Sequence, residues 1–482
     1  MAALTGPVPG GPPAGDPLSA GPVSAGPVSG DRVSAGPVPG GPARRAPVRR
    51  VPNRKAQLAE LAADLFRRHG YHQVGVQEIA AAAGLTGPAV YRHFRSKQEI
   101  LAHVLLAGID AFGAATEQAL SADAPPAGRV RALTAALARL SVERRETTAL
   151  WRWQRRHLAP ADQAAVVQRA AAAMDRWAAE LRLVRPELDG PDAELLCWAA
   201  MSVFGSVAVH HASLPRARFA PMLAAMADAV LASRAVPAPP GAPVPAGSAL
   251  NGAEVPPSRR EAVLAGATRL FRERGYHAVS MEDIGAAVGI AGPSVYRHFA
   301  SKAELLCAAC TRMADRLATE AAAALSTAAS PRADPPADAI ADPAHGPAAG
   351  PVARRPAASS AAGPVADPAA GPAEALDRLV RSYVGTALAH RDLLAVYAAD
   401  SASLPEQHRA ELVRLQRRYV GYWVDALRAA SPGLPEAEAR IAVHAGLTVV
   451  NDLVRTHRLV ARPRFTEELL ELTRATLSSG GR

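Results

Sequence analysis

Cysteine is scarce in this chain: Cys197, Cys307 and Cys310 are the only three among 482 residues. An odd, sparse set cannot build a disulfide framework, and it points to a reducing cytosol. Cys307 and Cys310 form one CxxC, but no second ligand pair stands at zinc spacing, so they read as packing residues on a helix. Lysine is equally rare. Lys55, Lys97 and Lys302 are the only three, and every other base is arginine, which is what a GC-rich coding bias produces. Long apolar runs are missing too. The longest uncharged one, from Leu195 to Val209, is too short to span a bilayer and reads as a buried helix, so no membrane partner is expected. The N-terminus is broken throughout by Gly and Pro, and its first basic residue is Arg32, so it does not read as a secretory leader. No segment alternates with period two, which excludes a convincing strand and leaves an all-α fold. Finally, there is no GxSxG, no phosphate-cradling glycine loop and no metal-spaced His/Cys/Glu cluster. His210 and His211 adjoin, but adjacent helical residues point apart. The pattern excludes an enzyme and calls for no cofactor or metal.

What is present is positive charge and repetition. The formal net charge is +10 and the isoelectric point about 10.0, which favours a polyanionic partner, nucleic acid before an acidic membrane surface. The phrase GLTGPAVYRHFRSK at 84–97 returns as GIAGPSVYRHFASK at 289–302, displaced by 205 positions. Upstream, ADLFRRHGYHQV at 63–74 matches TRLFRERGYHAV at 268–279 at the same displacement. Downstream, Trp177, Leu181, Pro186 and Leu188 match Trp423, Leu427, Pro432 and Leu434 at 246. The second copy therefore carries an insertion of 41 residues, and only the Ala/Pro/Gly-rich stretch 327–373 fits it. The chain reads as one two-domain unit, duplicated.

The organisation follows. Residues 1–52 hold twelve prolines and no aromatic residue, and should be a disordered tail ending in the basic arm ARRAPVRR. Residues 53–102 and 258–307 are the repeated heads. Residues 103–235 and 308–482 are larger helical domains, the second with its disordered insert at 327–373. Residues 236–257 are a Pro/Ala/Gly linker. Leu58, Leu61, Ala62, Leu65 and Phe66 make one apolar helix face that Gly70 ends, and Gly275 does the same in the second copy. A short helix at 77–83, a turn at Gly84 and a helix at 87–94 with Pro88 in its first turn complete a helix-turn-helix, whose second helix fits a DNA major groove. Further helices are expected at 128–144, 162–184, 192–212 and 217–234.

Leu-Phe-x-x-x-Gly-Tyr, then Ile-Ala-x-x-x-Gly, then Tyr-x-x-Phe-x-Ser-Lys strongly resembles the DNA-binding domain of the TetR family of transcriptional regulators, over about 50 residues in each copy. The helices after each head resemble that family's ligand-binding and dimerisation domain more weakly. The resemblance implies that Tyr91, Tyr296, Lys97 and Lys302 contact phosphates, and that Ser280 does so too, while the first copy has Gly75 in its place. Arg92 and Arg297 are the best candidates to read a base, since a guanidinium can bond guanine O6 and N7 together. His93 and His298 read equally as phosphate partners or packing residues. Ala89 and Ser294 suit a thymine methyl or base edge, and Thr86, Gly87 and Gly292 front the same helix. Phe94 and Phe299 belong to the core. The differences between copies predict two similar but unequal half-sites.

The family generally works as homodimers on two-fold operators. Here one chain carries both heads, and a 22-residue linker reaches up to about 70 Å when extended, beyond the roughly 34–36 Å between half-sites. An intramolecular pseudo-dimer is expected, in which 193–211 and 436–457 pair beside 217–234 and 465–478. The rival is two chains presenting four heads. The resemblance also implies an unidentified small-molecule effector, apolar by pocket composition, with Trp151, Trp177, Trp198 and Phe204 offered in the first domain and Tyr397, Tyr419 and Trp423 in the second. The whole reads as a sequence-specific regulator, a repressor released by its effector. The alternative is an architectural protein that binds any DNA with a steep salt dependence and no effector response.

Overall fold

Proline and glycine set the ends of the helices. A computed structural model describes residues 54–145, 148, 150, 157–210, 212–234, 258–326 and 371–480, and these belong to one compact unit. The expected tail, most of the insert, the 236–257 linker and Trp151 lie outside the described residues. Every regular element among those described is helical.

In the first head, α1 (Arg54–His69) buries Leu58, Ala62 and Phe66 and stops at Gly70, whose φ of +83° suits glycine. The second head repeats this in α9 (Arg259–Arg274), ending at Gly275 with φ +84°. Then follow α2 (Val76–Ala82) and α3 (Gly87–Tyr91), or α10 (Met281–Ala287) and α11 (Gly292–Val295). Gly84 and Gly289 turn between them with φ +65° and +70°. The helix expected over 87–94 ends at Tyr91. His93 N–H bonds the Val90 carbonyl at 2.9 Å, one residue short of the α-helical partner, and the chain leaves the helix there.

Each head is followed by a long helix, α4 (Lys97–Leu120) or α12 (Lys302–Ser326). Ser96 caps α4 by accepting from Glu99 N–H at 3.1 Å, while Glu99 accepts from Arg95 N–H at 2.7 Å. Ser301 and Glu304 do the same for α12 at 3.1 and 2.6 Å, so in both copies of SKxE the serine caps the helix and the glutamate reaches back to the N–H one residue before the cap. By length and composition α4 could cross a membrane, a candidate that a search for uncharged runs overlooks because Asp110 and Glu117 interrupt it. In the structure its Ile100, Leu101, Leu105 and Phe112 are buried, and it packs between α1, α5 and α6.

The first larger domain comprises α5 (Pro126–Glu143), α6 (Pro160–Val184), α7 (Gly190–Gly205) and α8 (Arg216–Ala232). The second comprises α13 (Pro372–Ala389), α14 (Arg391–Asp400), α15 (Glu406–Ala430), α16 (Glu436–Leu453), α17 (His457–Val460) and α18 (Phe465–Ser479). Pro126, Pro160 and Pro372 each open a helix, where a missing N–H costs nothing. The insert expected to run to 373 therefore ends before Pro372, which is already helical.

The halves meet through α7 and α8 against α16 and α18. Val203, Leu223, Ile441 and Leu469 are fully buried in one continuous core. Burying each such side chain stabilises by about 1.5–3 kcal/mol. At Gly480 an added Cβ would stand 3.5 Å from the Met222 side chain of the other half. Arg218 with Glu438, Arg458 with Glu194 and Arg462 with Asp192 form ion pairs across the seam. The ring of His444 stacks on that of His210, 4.8 Å away in the other half.

Candidate nucleic-acid interface

The two heads present matching outer surfaces. Tyr91 is 53% exposed and Tyr296 51%, unusual for residues of this size and consistent with side chains kept for a partner. Arg92, Arg297 and Thr86 are exposed beside them, and Ala89, Ser294, His93 and His298 are half-buried. Val90 and Phe94, with Val295 and Phe299, point inward and are 1% exposed or less.

Two expectations about individual residues need correction, at Gly87 and Gly292. Gly87 is buried, not a front residue: a Cβ there would lie 2.5 Å from Gln77 of α2. Gly292 similarly lies close to Glu282 of α10, at 3.2 Å. These glycines let the two short helices touch. Ser280 serves as a helix cap, accepting from Asp283 N–H at 3.0 Å while its hydroxyl donates to the Asp283 carboxylate at 2.8 Å. Gly75 keeps only half of that box, its N–H donating to Glu78 at 2.6 Å.

Lys97 and Lys302 are engaged within their heads. Lys97 Nζ donates to the carbonyls of Tyr71 and Val74 at 2.8 and 2.9 Å and sits 4.4 Å from the Tyr71 ring centre. Lys302 Nζ donates to Val279 at 2.7 Å and His277 at 3.4 Å, 4.6 Å from the Tyr276 ring centre. Burial pulls both ammonium groups below the usual lysine range, with Glu78 and Asp283 respectively opposing it. An ammonium has three N–H donors, so two are spent pinning the turn after the first helix to the start of the long one. Lys97→Met should therefore destabilise its head by about 1–3 kcal/mol. It should leave the salt dependence of DNA binding unchanged. A slope reduced by about one would instead assign the charge to a phosphate.

The heads also touch each other. His72 and His277, equivalent positions in the two copies, lie with ring centres 4.2 Å apart. His157 joins them, stacked on Tyr71 at 5.1 Å and 4.4 Å from His72, and His277 Nε2 is 3.0 Å from Ser403 Oγ. The seam joins matching loops of the two heads.

Behind the first head lies a cavity of about 480 Å³. Trp198 and Phe204 line it, Trp198 held by its Nε1 donating to Glu194 at 3.2 Å. Trp177 does not line it; it is fully buried in the core. Sequence reasoning missed the contribution of α4, through Leu105, Gly108, Ile109 and Phe112, and that of the other half, through Asp452, Leu453, Arg455 and Thr456. The long helix of the first head is thus also a wall of the cavity. In the second half, Tyr419 and Trp423 cluster with Tyr383, while Tyr397 packs against both the central core and that of the second head. Burial pushes the hydroxyls of Tyr383, Tyr397 and Tyr419 well above the usual tyrosine range.

Residues 58–104 and 263–309 both match the model of bacterial regulatory proteins of the tetR family, and 369–455 match a tetracyclin repressor-like C-terminal domain. Two TetR-type DNA-binding domains and one TetR-type C-terminal domain thus stand in this chain, consistent with a tandem duplication. The HTH-type transcriptional activator FasR of Mycolicibacterium smegmatis is 40% identical over 74 residues, 15% of this chain and 34% of that protein. The HTH-type transcriptional repressor KstR2 of Mycobacterium tuberculosis is 32% identical over 80 residues, 17% of this chain and 40% of that protein. The chain thus spans about a third to two fifths of the length of these curated relatives. Among solved structures, the TetR family transcriptional regulator PfmR of Thermus thermophilus is 26% identical with a TM-score of 0.33, over 36% of this chain and 97% of that one. The tetR-type heads coincide with the two helix-turn-helix segments. Cys310 lies buried in the core of the second, its thiol pushed up to about 12 by burial.

Proposed function

We propose that this protein is a sequence-specific DNA-binding transcription regulator whose two heads read the two halves of one pseudo-palindromic operator, as a repressor released by a small apolar effector. The observation that carries the reading is the pair of exposed Tyr-Arg surfaces, Tyr91-Arg92 and Tyr296-Arg297, on heads that meet through equivalent loops. A two-fold arrangement of reading helices matches a two-fold arrangement of half-sites. Tyr91, Tyr296, His93 and His298 would hold phosphates, and Arg92 and Arg297 would read guanine, with Ala89 and Ser294 distinguishing the half-sites.

The effector acts through α4. It forms a wall of the cavity at Leu105, Gly108, Ile109 and Phe112 and begins at Lys97, which is tied to the head. A ligand that fits the cavity better in one position of α4 favours that position, and so one spacing of the heads.

The test is selection of DNA from a random pool by the purified full chain, followed by the mass of the complex on the selected site. One chain per two-fold site is expected. A pool with no shared motif would leave the architectural binder standing, and two chains per site would mean four heads. Arg92→Ala and Arg297→Ala should each cost about 1–3 kcal/mol on the selected site and relax one half of it only. An equal loss on all sequences would show phosphate contact alone. A footprint overlapping the promoter is expected of a repressor, one upstream of it of an activator.

A further inference from the structure

Beyond the insertion the two copies align at a displacement of 246, and the long helices before it, α4 and α12, align at 205, so each cavity-lining residue of the first half has a counterpart in the second. Leu137, which lines the cavity, corresponds to Tyr383. Gly205, which also lines it, corresponds to Asn451. Ala173, buried in the adjoining core, corresponds to Tyr419. The first two changes add volume where the first half has space, and the third adds it in the core beside that space. They also satisfy one another: Tyr383 Oη donates to Asn451 Oδ1 at 2.7 Å, and the Tyr383 ring lies 5.8 Å from that of Trp423 and 6.3 Å from that of Tyr419. Tyr383 is 4% exposed and Trp423 1%. A buried tyrosine whose hydroxyl has a partner is a stable filling, and opening it would leave the Asn451 amide unpaired.

The cavity of the first half has a mixed lining. Its body is apolar, with Leu105, Ile109, Phe112, Leu137, Met174 and Phe204. Arg144 and Arg455, both exposed, also line it, with Asp452 as the acid among the lining residues. Arg455 lies 4.0 Å from Asp452, so Arg144 supplies the excess positive charge among the lining residues. Asp452 and Leu453 end α16 and Arg455 and Thr456 lie in the turn after it, so the second half supplies a wall of the first half's site.

We infer that the chain carries one effector site rather than two, placed in the first half and closed by the second, and that it takes a largely apolar molecule with one anionic end directed at Arg144. The counterpart site is permanently occupied by the chain's own Tyr383 and Tyr419. This rests on the cavity being the effector site of the proposed function. Its consequence is that a single ligand, pressing on α4 from one side and on α16 from the other, acts on both halves at once.

The experiment uses the purified full chain with two probes, 8-anilinonaphthalene-1-sulfonate and its uncharged analogue N-phenyl-1-naphthylamine. Fluorescence titration and native mass spectrometry give affinity and count. One saturable sulfonate probe per chain is expected. Leu137→Tyr should weaken both probes more than tenfold. The double variant Leu137→Tyr with Gly205→Asn, which copies the hydrogen-bonded pair of the second half, should do the same if the single variant folds poorly. Arg144→Ala should weaken the sulfonate about fivefold and the uncharged probe less than twofold. Two probes per wild-type chain, non-saturable binding, or unchanged affinity in a folded Leu137→Tyr protein would overturn the inference. Affinity for the selected DNA is read in the same samples. One probe per chain without any change in DNA affinity would keep the single site and sink the effector reading instead.

Discussion

Arg462→Met should lower the unfolding free energy of this protein by about 3–5 kcal/mol, the cost of stranding a buried carboxylate. Arg462 grips Glu468 with two parallel hydrogen bonds, Nε to Oε2 at 2.8 Å and Nη2 to Oε1 at 2.7 Å, and also reaches Asp192 of the other half. Glu468 is only 6% exposed. It lies in the first turn of α18, and Asp192 lies in the first turn of α7, so one guanidinium joins the starts of two helices from opposite halves. Removing it leaves Glu468 charged and without its fork. The double variant Arg462→Met with Glu468→Leu should recover most of the loss, because an apolar pair of similar volume replaces an ion pair at little net cost. Urea unfolding followed by circular dichroism gives both values. A single-variant loss below about 1 kcal/mol would place the pair with ordinary surface ion pairs.

The second large effect is acid sensitivity of the same seam. His444 is held to about 4, first by burial and then by the nearby positive charges of Arg440 and Arg145. Its ordinary value is 6.5. Above that, neither the folded nor the unfolded state holds the proton, and His444 contributes no pH dependence. Between 6.5 and about 4 the unfolded chain binds a proton that the folded chain refuses. Stability therefore falls as the pH falls through this window, by up to about 3 kcal/mol from this one group. Unfolding midpoints measured at about pH 7, 5.5 and 4.5, which run from above the window into its lower part, should show the decline, and His444→Leu should remove that part of it. A decline of equal size in the variant would assign the effect to other groups.

Much of the architecture was legible because repetition is a strong signal. The two displacements of 205 and 246 located the units, and the positive-φ turns at Gly70, Gly84, Gly275 and Gly289 followed from residues that suit such backbone. Phe94 and Phe299 were assignable to the core from spacing against Val90 and Val295. The site was less legible for physical reasons. Periodicity says that Trp177 faces inward but not whether it meets a void or another side chain, so it was offered to the pocket although it is core. A lysine beside an exposed tyrosine looks like a phosphate contact, yet the carbonyls of Tyr71 and Val74 lie within reach only once the chain has folded. Gly87 gave no sign that Gln77 would crowd it. The filling of the second pocket, in contrast, was written in the sequence. Aligning Leu137 with Tyr383 and Gly205 with Asn451 would have exposed it before any coordinates.

The seam of α7 and α8 against α16 and α18 joins parts of one covalent chain. In a TetR dimer of separate subunits that contact is a bimolecular equilibrium, and dilution erodes it. Here it is unimolecular, at an effective concentration fixed by the tether and not by the number of molecules in the cell. Under the proposed function, occupancy of an operator would rise in first order with protein, without the upward curvature that subunit association adds. Nor is either half obliged to fit a copy of itself. Each surface need only match one partner, so the halves are free to drift apart in what they bind while the pairing of their heads stays assured.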